Sequence, residues 1–136
     1  MNSDEIKKIL KNNKIFKGVC SRDNIPKNIR RPAAFIVNTD NKYGYGEHWV
    51  AILLLTGKRG EYFDPFGLPV LHEDFAKYLD GACPKGWLWN NLALQSADDS
   101  SCGSWCIAYI KARAQHLSLV DFLLSNSKHL ILNNTK

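Results

Sequence analysis

The run HWVAILLL, residues 48–55, constrains the fold more than any other part of the chain. Its apolar side chains are continuous instead of alternating, which is typical of a β-strand that is covered on both faces. A length of 136 residues suits one domain, 1–136, and folding at this size buries about two thirds of the chain's surface. The sequence therefore predicts a single domain whose central strand lies between two layers.

The remaining segments mix strand and helix patterns in no regular order. Further apolar runs of strand type occupy three segments: 33–39, 61–64 and 87–94. Apolar residues at helical spacing occupy four segments: 3–12, 70–80, 102–116 and 118–125. The polar, proline-interrupted stretch 13–32 indicates a loop. Together these patterns predict an α+β domain, with a central mixed sheet flanked by helices.

The composition is that of a globular protein. Hydrophobic residues make up 45% and charged residues 23% of the chain, which excludes a disordered protein. No segment reaches the roughly 20 apolar residues that cross a bilayer, and the charged N-terminus has no signal-peptide core. We therefore expect an intracellular protein in a reducing compartment, with no membrane partner.

The cysteines and the net charge say little about function. Cys20, Cys83, Cys102 and Cys106 are too few and too scattered for a disulfide scaffold. They also lack the paired spacing of a zinc site. The net charge of +5 permits weak attraction to polyanions, but does not by itself predict a nucleic-acid partner.

Cys102 stands where the predicted helix 102–116 begins. A thiol at that position meets unpaired backbone N–H groups and the positive end of the helix dipole, which both favour the thiolate. Gly103 follows, and glycine weakens a helix by about 1 kcal/mol relative to alanine. Its presence makes sense if another group must approach the backbone closely. Taken alone, Cys102 could instead be a small core residue.

His48 and Asp64 belong to the two strands of a predicted hairpin around TGKRG. Their numbers have the same parity, so a turn centred on Thr56 or Gly57 places them on one face, opposite or diagonally adjacent. Asp64 could then accept a hydrogen bond from the imidazole. The alternatives are a structural histidine and a turn aspartate before Pro65.

Gln95 ends the predicted strand 87–94 and opens the loop that leads to Cys102. It could be a surface residue, or its amide could donate to an oxyanion beside the backbone N–H of Cys102. With His48 and Asp64, these residues supply a base, its orienting carboxylate, an oxyanion donor and a nucleophile. A cysteine hydrolase needs this set.

The order of these residues resembles the adenovirus-type cysteine proteases, that is, adenain and its relatives in viruses and virus-like transposons. These enzymes are related to the proteases of ubiquitin-like proteins. Four stretches carry the resemblance: IVNTD at 36–40, GEHW at 46–49, YFDPFG at 62–67 and LQSADDSSCG at 94–103. It extends over about residues 3 to 125. The seven-residue step from Gln95 to Cys102 favours the adenovirus branch.

The resemblance implies a papain-like cysteine protease core and a role for each matching residue. Cys102 would be the nucleophile, His48 the general base and acid, and Asp64 the residue that orients His48. Gln95 would be the oxyanion donor; adenain itself often has glutamate where this chain has Asp64. Three residues would contact the substrate: Trp49, Gly46 and Gly103. The expected enzyme is a thiol endopeptidase that cleaves precursor proteins of virus-like particles, at glycine-containing sites, without a metal.

The resemblance also implies partners. Adenain is activated by a viral peptide attached through a disulfide and by DNA, so the resemblance implies a similar peptide or DNA as an activator here. It also implies that this protein is located in the virion or in the host nucleus or cytoplasm. Cys83 lies near the place that matches the disulfide-forming cysteine of adenain, but the flanking GACPKG does not align cleanly, and an ordinary loop or core thiol is the alternative. Two other functions stay open: an isopeptidase or deconjugase for a ubiquitin-like protein, and a catalytically silent binding module.

Overall fold

In the part of the chain that the structure describes, five strands form one mixed sheet, and they follow the same order in the sheet as along the chain. The computed structural model describes residues 1–40, 48–70, 72–94 and 101–130. The strands are β1 (Phe16–Ser21), β2 (Ala33–Asn38), β3 (Trp49–Leu55), β4 (Arg59–Phe63) and β5 (Trp87–Trp89). β3 pairs with both neighbours antiparallel, whereas β1 and β5 join the two edges in parallel.

Helices cover both faces of this sheet. They are α1 (Ser3–Leu10), α2 (Glu73–Ala82), α3 (Cys102–Ala114) and α4 (Leu119–Ser125), followed by a 3₁₀ turn at Ser127–His129. The N-terminus of α1 is closed by a capping box, in which Asn2 and Glu5 exchange side-chain and backbone hydrogen bonds. The predicted α+β architecture is thus confirmed. Within the described ranges, no helix is long and apolar enough to cross a membrane.

The central strand β3 separates two hydrophobic cores. Ala51 and Leu53 pack into the core that α1, α3 and α4 cover, while Ile52 and Leu54 face the core beneath α2. Side chains of a strand alternate between faces, so both sets are buried only if both faces are covered. The continuous apolar pattern therefore predicted the burial of this strand correctly.

The expectation of a loop over 13–32 was wrong, because β1 lies within it. The strand is short and sits at the sheet edge, and its register with β2 shifts between Phe16 and Gly18, which has a φ of +152°. Its parallel pairing is a long-range contact, which leaves no turn signal in the local sequence. The predicted strand at 87–94 is also shorter, since β5 ends at Trp89.

The β3–β4 hairpin positions the predicted site. Leu55 pairs with Arg59 and Ala51 with Phe63, which centres the turn on Gly57. Gly57 and Lys58 both have positive φ angles, 75° and 60°, as expected for a tight turn that matches the twist of the strands. The hairpin therefore brings the start of β3 and the end of β4 to the same end of the sheet.

Candidate active site

His48 precedes β3 and Asp64 follows β4, so the hairpin places both at one sheet end. Continuing the register by one residue sets Asp64 opposite Val50, two residues from His48 on the same face. His48 Nε2 lies 2.6 Å from Asp64 Oδ1, and both side chains are largely buried. The predicted hydrogen bond between diagonal neighbours is confirmed.

Phe66 fixes the plane of the imidazole. Its ring stacks on His48 with centroids 4.1 Å apart and planes 7° from parallel. The backbone N–H of Phe66 also donates to Asp64 Oδ1 at 2.8 Å, which closes a turn over Pro65. One residue therefore supports both members of the pair. Sequence reasoning missed this role, although DPFG was recognised as a motif.

Asn90 holds the backbone of Asp64 from the other side. The N–H of Asp64 donates to Asn90 Oδ1 at 2.8 Å, and Asn90 Nδ2 donates to the carbonyl of Asp64 at 2.6 Å. Asn90 is 1% exposed. Sequence reasoning missed it as well; the available signal was the polar pair Asn90–Asn91 inside an otherwise apolar run.

Cys102 is the first residue of α3, and its thiol lies close enough to His48 for each group to shift the pKa of the other. Since Nε2 of the imidazole faces Asp64, Nδ1 is the nitrogen left for the thiol. Burial of His48 favours its neutral form, but the hydrogen bonds and negative charges of Asp64 and Cys102 outweigh burial. The net effect raises the pKa of His48 to about 9.

The pKa of the Cys102 thiol moves the opposite way. Burial acts to raise it, but the hydrogen bond and charge of His48, with backbone hydrogen bonds from Trp49 and Gly103, lower it below 9.0 overall. Cys106, one helical turn further on, is completely buried, and its pKa is raised well above 9.0. The two shifts have the predicted directions, a lower pKa for Cys102 and a higher one for Cys106; the difference in reactivity stays a prediction.

Trp49 and Gly103 touch each other beside this pair. A Cβ placed on Gly103 would lie 3.3 Å from Trp49 Cδ1 and 3.3 Å from the sulfur of Met1. The indole Nε1 donates to the carbonyl of Met1 at 3.1 Å. The close approach predicted at Gly103 therefore comes from the chain itself. Contact of Trp49 and Gly103 with a substrate stays a prediction.

Three other sequence predictions have different outcomes. Gly46 and Gln95 lie outside the described residues, so their substrate and oxyanion roles stay predictions. Cys83 is 2% exposed, and its sulfur would lie 2.5 Å from a Cβ placed on Gly60. This burial fits the alternative that Cys83 is an ordinary core thiol.

The arrangement can be compared with known proteins. No protein-family model and no curated protein sequence matches the chain. Among the solved structures that it resembles is the selenomethionine form of the ASFV pS273R protease, with 28% identity and a TM-score of 0.51. The match covers 70% of this chain but 40% of that one, so the chain spans less than half of the protease's length. The similarity confirms the α+β fold with a papain-like cysteine protease core.

Proposed function

We propose that this protein is a cysteine endopeptidase in which Cys102 is the nucleophile, His48 the acid and base, and Asp64 the residue that orients His48. The observation that carries the proposal is the series Asp64–His48–Cys102, in which Asp64 is hydrogen-bonded to His48 at 2.6 Å and the charges of His48 and Cys102 act on each other. Within it the imidazole is made more basic and the thiol more acidic, which favours a thiolate–imidazolium pair. The similarity to the pS273R protease supports the same conclusion.

The reaction follows from this pair. The Cys102 thiolate attacks the carbonyl carbon of a peptide bond and forms a tetrahedral adduct. The backbone N–H of Cys102 and the amide of Gln95 stabilise its oxyanion. The C–N bond then breaks, and His48 gives its proton to the leaving amine. Finally, water loses a proton to His48 and hydrolyses the thioester, which releases the acid and restores the pair.

For the substrate, we propose precursor proteins of virus-like particles, cleaved at glycine-containing sites. Two observations support it: the resemblance to adenain in four sequence stretches and the viral origin of the pS273R protease. The alternative substrate is a conjugate of a ubiquitin-like protein. Incubation with both substrate classes separates the two, because a deconjugase releases the intact modifier and an endopeptidase cuts within a chain.

A polyanionic activator such as DNA is a further proposal. A cleft of about 590 Å³ is lined by Lys14, Lys17 and Arg30, and no described residue that lines it is acidic. Clustered positive charge of this kind attracts nucleic acid. Cleavage rates measured with and without duplex DNA, at low and high salt, test this proposal. The same assay tests for an activating peptide when candidate peptides, encoded by the genome that encodes this protein, are added.

The test of the protease proposal is covalent labelling combined with cleavage. The protein is treated with a peptide that carries an electrophile, and the modified cysteine is located by mass spectrometry. A peptide library then reports cleavage. Cys102→Ser should abolish labelling and cleavage, whereas Cys106→Ser, one turn away on the same helix, should retain both. Equal labelling of the two thiols, or cleavage by Cys102→Ser, would contradict the proposal. A silent binding module would show neither labelling nor cleavage.

A further inference from the structure

The ladder between β4 and β5 stops just before Asp64. The last pair is Tyr62 with Trp89, so β5 gives the backbone of Asp64 no ladder partner on that side. The side chain of Asn90 fills that place: its amide oxygen accepts from the N–H of Asp64, and its amide nitrogen donates to the carbonyl. One side-chain amide thus pairs with a residue as a neighbouring strand would.

We propose that Asn90 is a positioning residue that holds Asp64 and thereby maintains the ion pair of His48 and Cys102. The inference rests on the protease function proposed above and adds a residue to its machinery. Asn90 touches neither of the reacting side chains in the described contacts. It acts through Asp64, whose Oδ1 lies 2.6 Å from His48 Nε2.

The tight contact around Asn90 extends to the following residues. The N–H of Leu94 donates to the carbonyl of Pro65 at 2.8 Å. A Cβ on Gly67, whose φ is +69°, would lie 2.7 Å from the backbone nitrogen of Ala93. No side chain fits at Gly67, so the 64–67 turn lies directly against the 90–94 segment. The orienting carboxylate is therefore fixed to the stretch of chain that leads to Gln95.

Loss of the Asn90 amide has a defined consequence. Two buried backbone groups of Asp64 lose their partner, and Asp64 shifts towards other partners or water. The short hydrogen bond to His48 weakens, so the pKa of the imidazole falls from about 9. The thiol of Cys102 then ionises at a higher pH, because its cationic partner is present less often.

The experiment compares Asn90→Ala with Tyr109→Phe. Tyr109 also makes one short buried hydrogen bond, 2.6 Å to Glu61, but it lies away from the reacting pair. We expect Asn90→Ala to lower kcat by roughly 10–100-fold, the scale of a misplaced catalytic group, with a smaller change in KM. The pH midpoint for alkylation of Cys102 should move upward. Tyr109→Phe should lose stability while keeping the wild-type kcat and midpoint.

Each rate is divided by the fraction of folded protein, which is measured by thermal unfolding. If Asn90→Ala does not fold, Asn90→Ser is measured instead, since its hydroxyl can still donate or accept; the same shifts are expected, but smaller. A folded Asn90 variant with wild-type kcat and midpoint would overturn the positioning role. If wild-type protein neither cleaves peptides nor shows an acidic Cys102, the proposed function fails instead.

Discussion

Helix α3 carries a charged cluster at each end, and the two clusters differ in whether their protons can move. At the C-terminal end, Arg113 Nε and Nη2 donate to the carboxylate of Glu61 at 3.0 and 3.1 Å, and Tyr109 donates to it at 2.6 Å. At the N-terminal end, Cys102 interacts electrostatically with His48. Both clusters join the helix to the β3–β4 hairpin.

The difference lies in the choice of cation. A guanidinium stays charged at any pH that a protein survives and fits a carboxylate with two parallel hydrogen bonds. The Glu61–Arg113 pair is therefore a fixed connection. Imidazole and thiol titrate near neutral pH, so the His48–Cys102 pair can give up and recover a proton. One end of the helix is suited to holding the fold, and the other to chemistry.

The largest expected effect is the loss of Cys102, the proposed nucleophile. Cys102→Ala should lower kcat by on the order of 10⁶-fold, as for removal of a protease nucleophile, with little change in the melting temperature. Cys106→Ala is the matched control, because it deletes a completely buried thiol whose sulfur contacts the carbonyl of Trp49. This variant should lose stability and keep kcat. Peptide cleavage and thermal unfolding of both proteins measure the contrast; equal kcat in the two would refute it.

Asp64→Asn should have the next largest effect. The substitution keeps the shape but removes the negative charge that favours the imidazolium, so the pKa of His48 falls from about 9. We expect kcat to fall by on the order of 10²–10⁴-fold. Single-turnover kinetics, with the alkylation midpoint of Cys102, measure the effect. An unchanged midpoint would show that Asp64 does not act through His48.

Breaking the Glu61–Arg113 pair should lower the stability of the fold without changing the pKa of the Cys102 thiol. Glu61→Ala leaves the guanidinium of Arg113 buried without its carboxylate, and loss of one partner of a buried pair costs about 3–5 kcal/mol. Urea unfolding gives the change in the free energy of unfolding. The alkylation midpoint of Cys102 should match wild type in the folded protein. If Glu61→Ala moved this midpoint as far as Asp64→Asn does, the two clusters would be coupled along α3.

Gln95→Ala tests the proposed role of Gln95 as an oxyanion donor. Removal of one donor should lower kcat by on the order of 10²–10³-fold, with little change in KM, because the interaction forms mainly in the transition state. Gln95→Glu should be at least as damaging, since it sets a negative charge against a developing one. Steady-state kinetics of both variants check this, and near wild-type kcat in both would make Gln95 an ordinary loop residue.

The smallest expected effect is that of pH on wild-type protein. In the proposed mechanism the active form has a Cys102 thiolate and a protonated His48, so we expect the rate to rise as pH increases through the lowered pKa of the thiol. It should fall as pH increases through about 9, where His48 loses its proton, by roughly tenfold per unit beyond that point. A rate–pH profile of kcat/KM checks the window. A rate that still rises above pH 10 would exclude the imidazolium as the acid.

The sequence predicted the parts of the site that depend on local pattern. The same parity of His48 and Asp64 in a hairpin with a recognisable turn fixed their common face. The cysteine at the start of an apolar helix indicated an acidic thiol. Both arguments need only strand alternation and helix capping, which can be worked out from neighbouring residues.

The parts that depend on distant contacts were not predicted. The β1 strand is a parallel edge strand, and β2, with which it pairs in the described sheet, lies beyond a loop. Asn90 looks like any polar residue at a strand end, and its partner Asp64 is 26 residues away. Phe66 was recognised only as part of a motif, because a stack on His48 requires the turn to be in place. Each of these needs the assembled sheet before its role can be seen.

The contact between Met1 and Trp49 has a practical consequence for recombinant production. The carbonyl of Met1 accepts from the indole next to His48, and its side chain lies near Gly103, the residue after Cys102. Any peptide fused ahead of Met1 therefore begins beside the proposed active site. We expect an affinity tag at this end to lower the measured activity, so preparations for enzyme assays should have it removed.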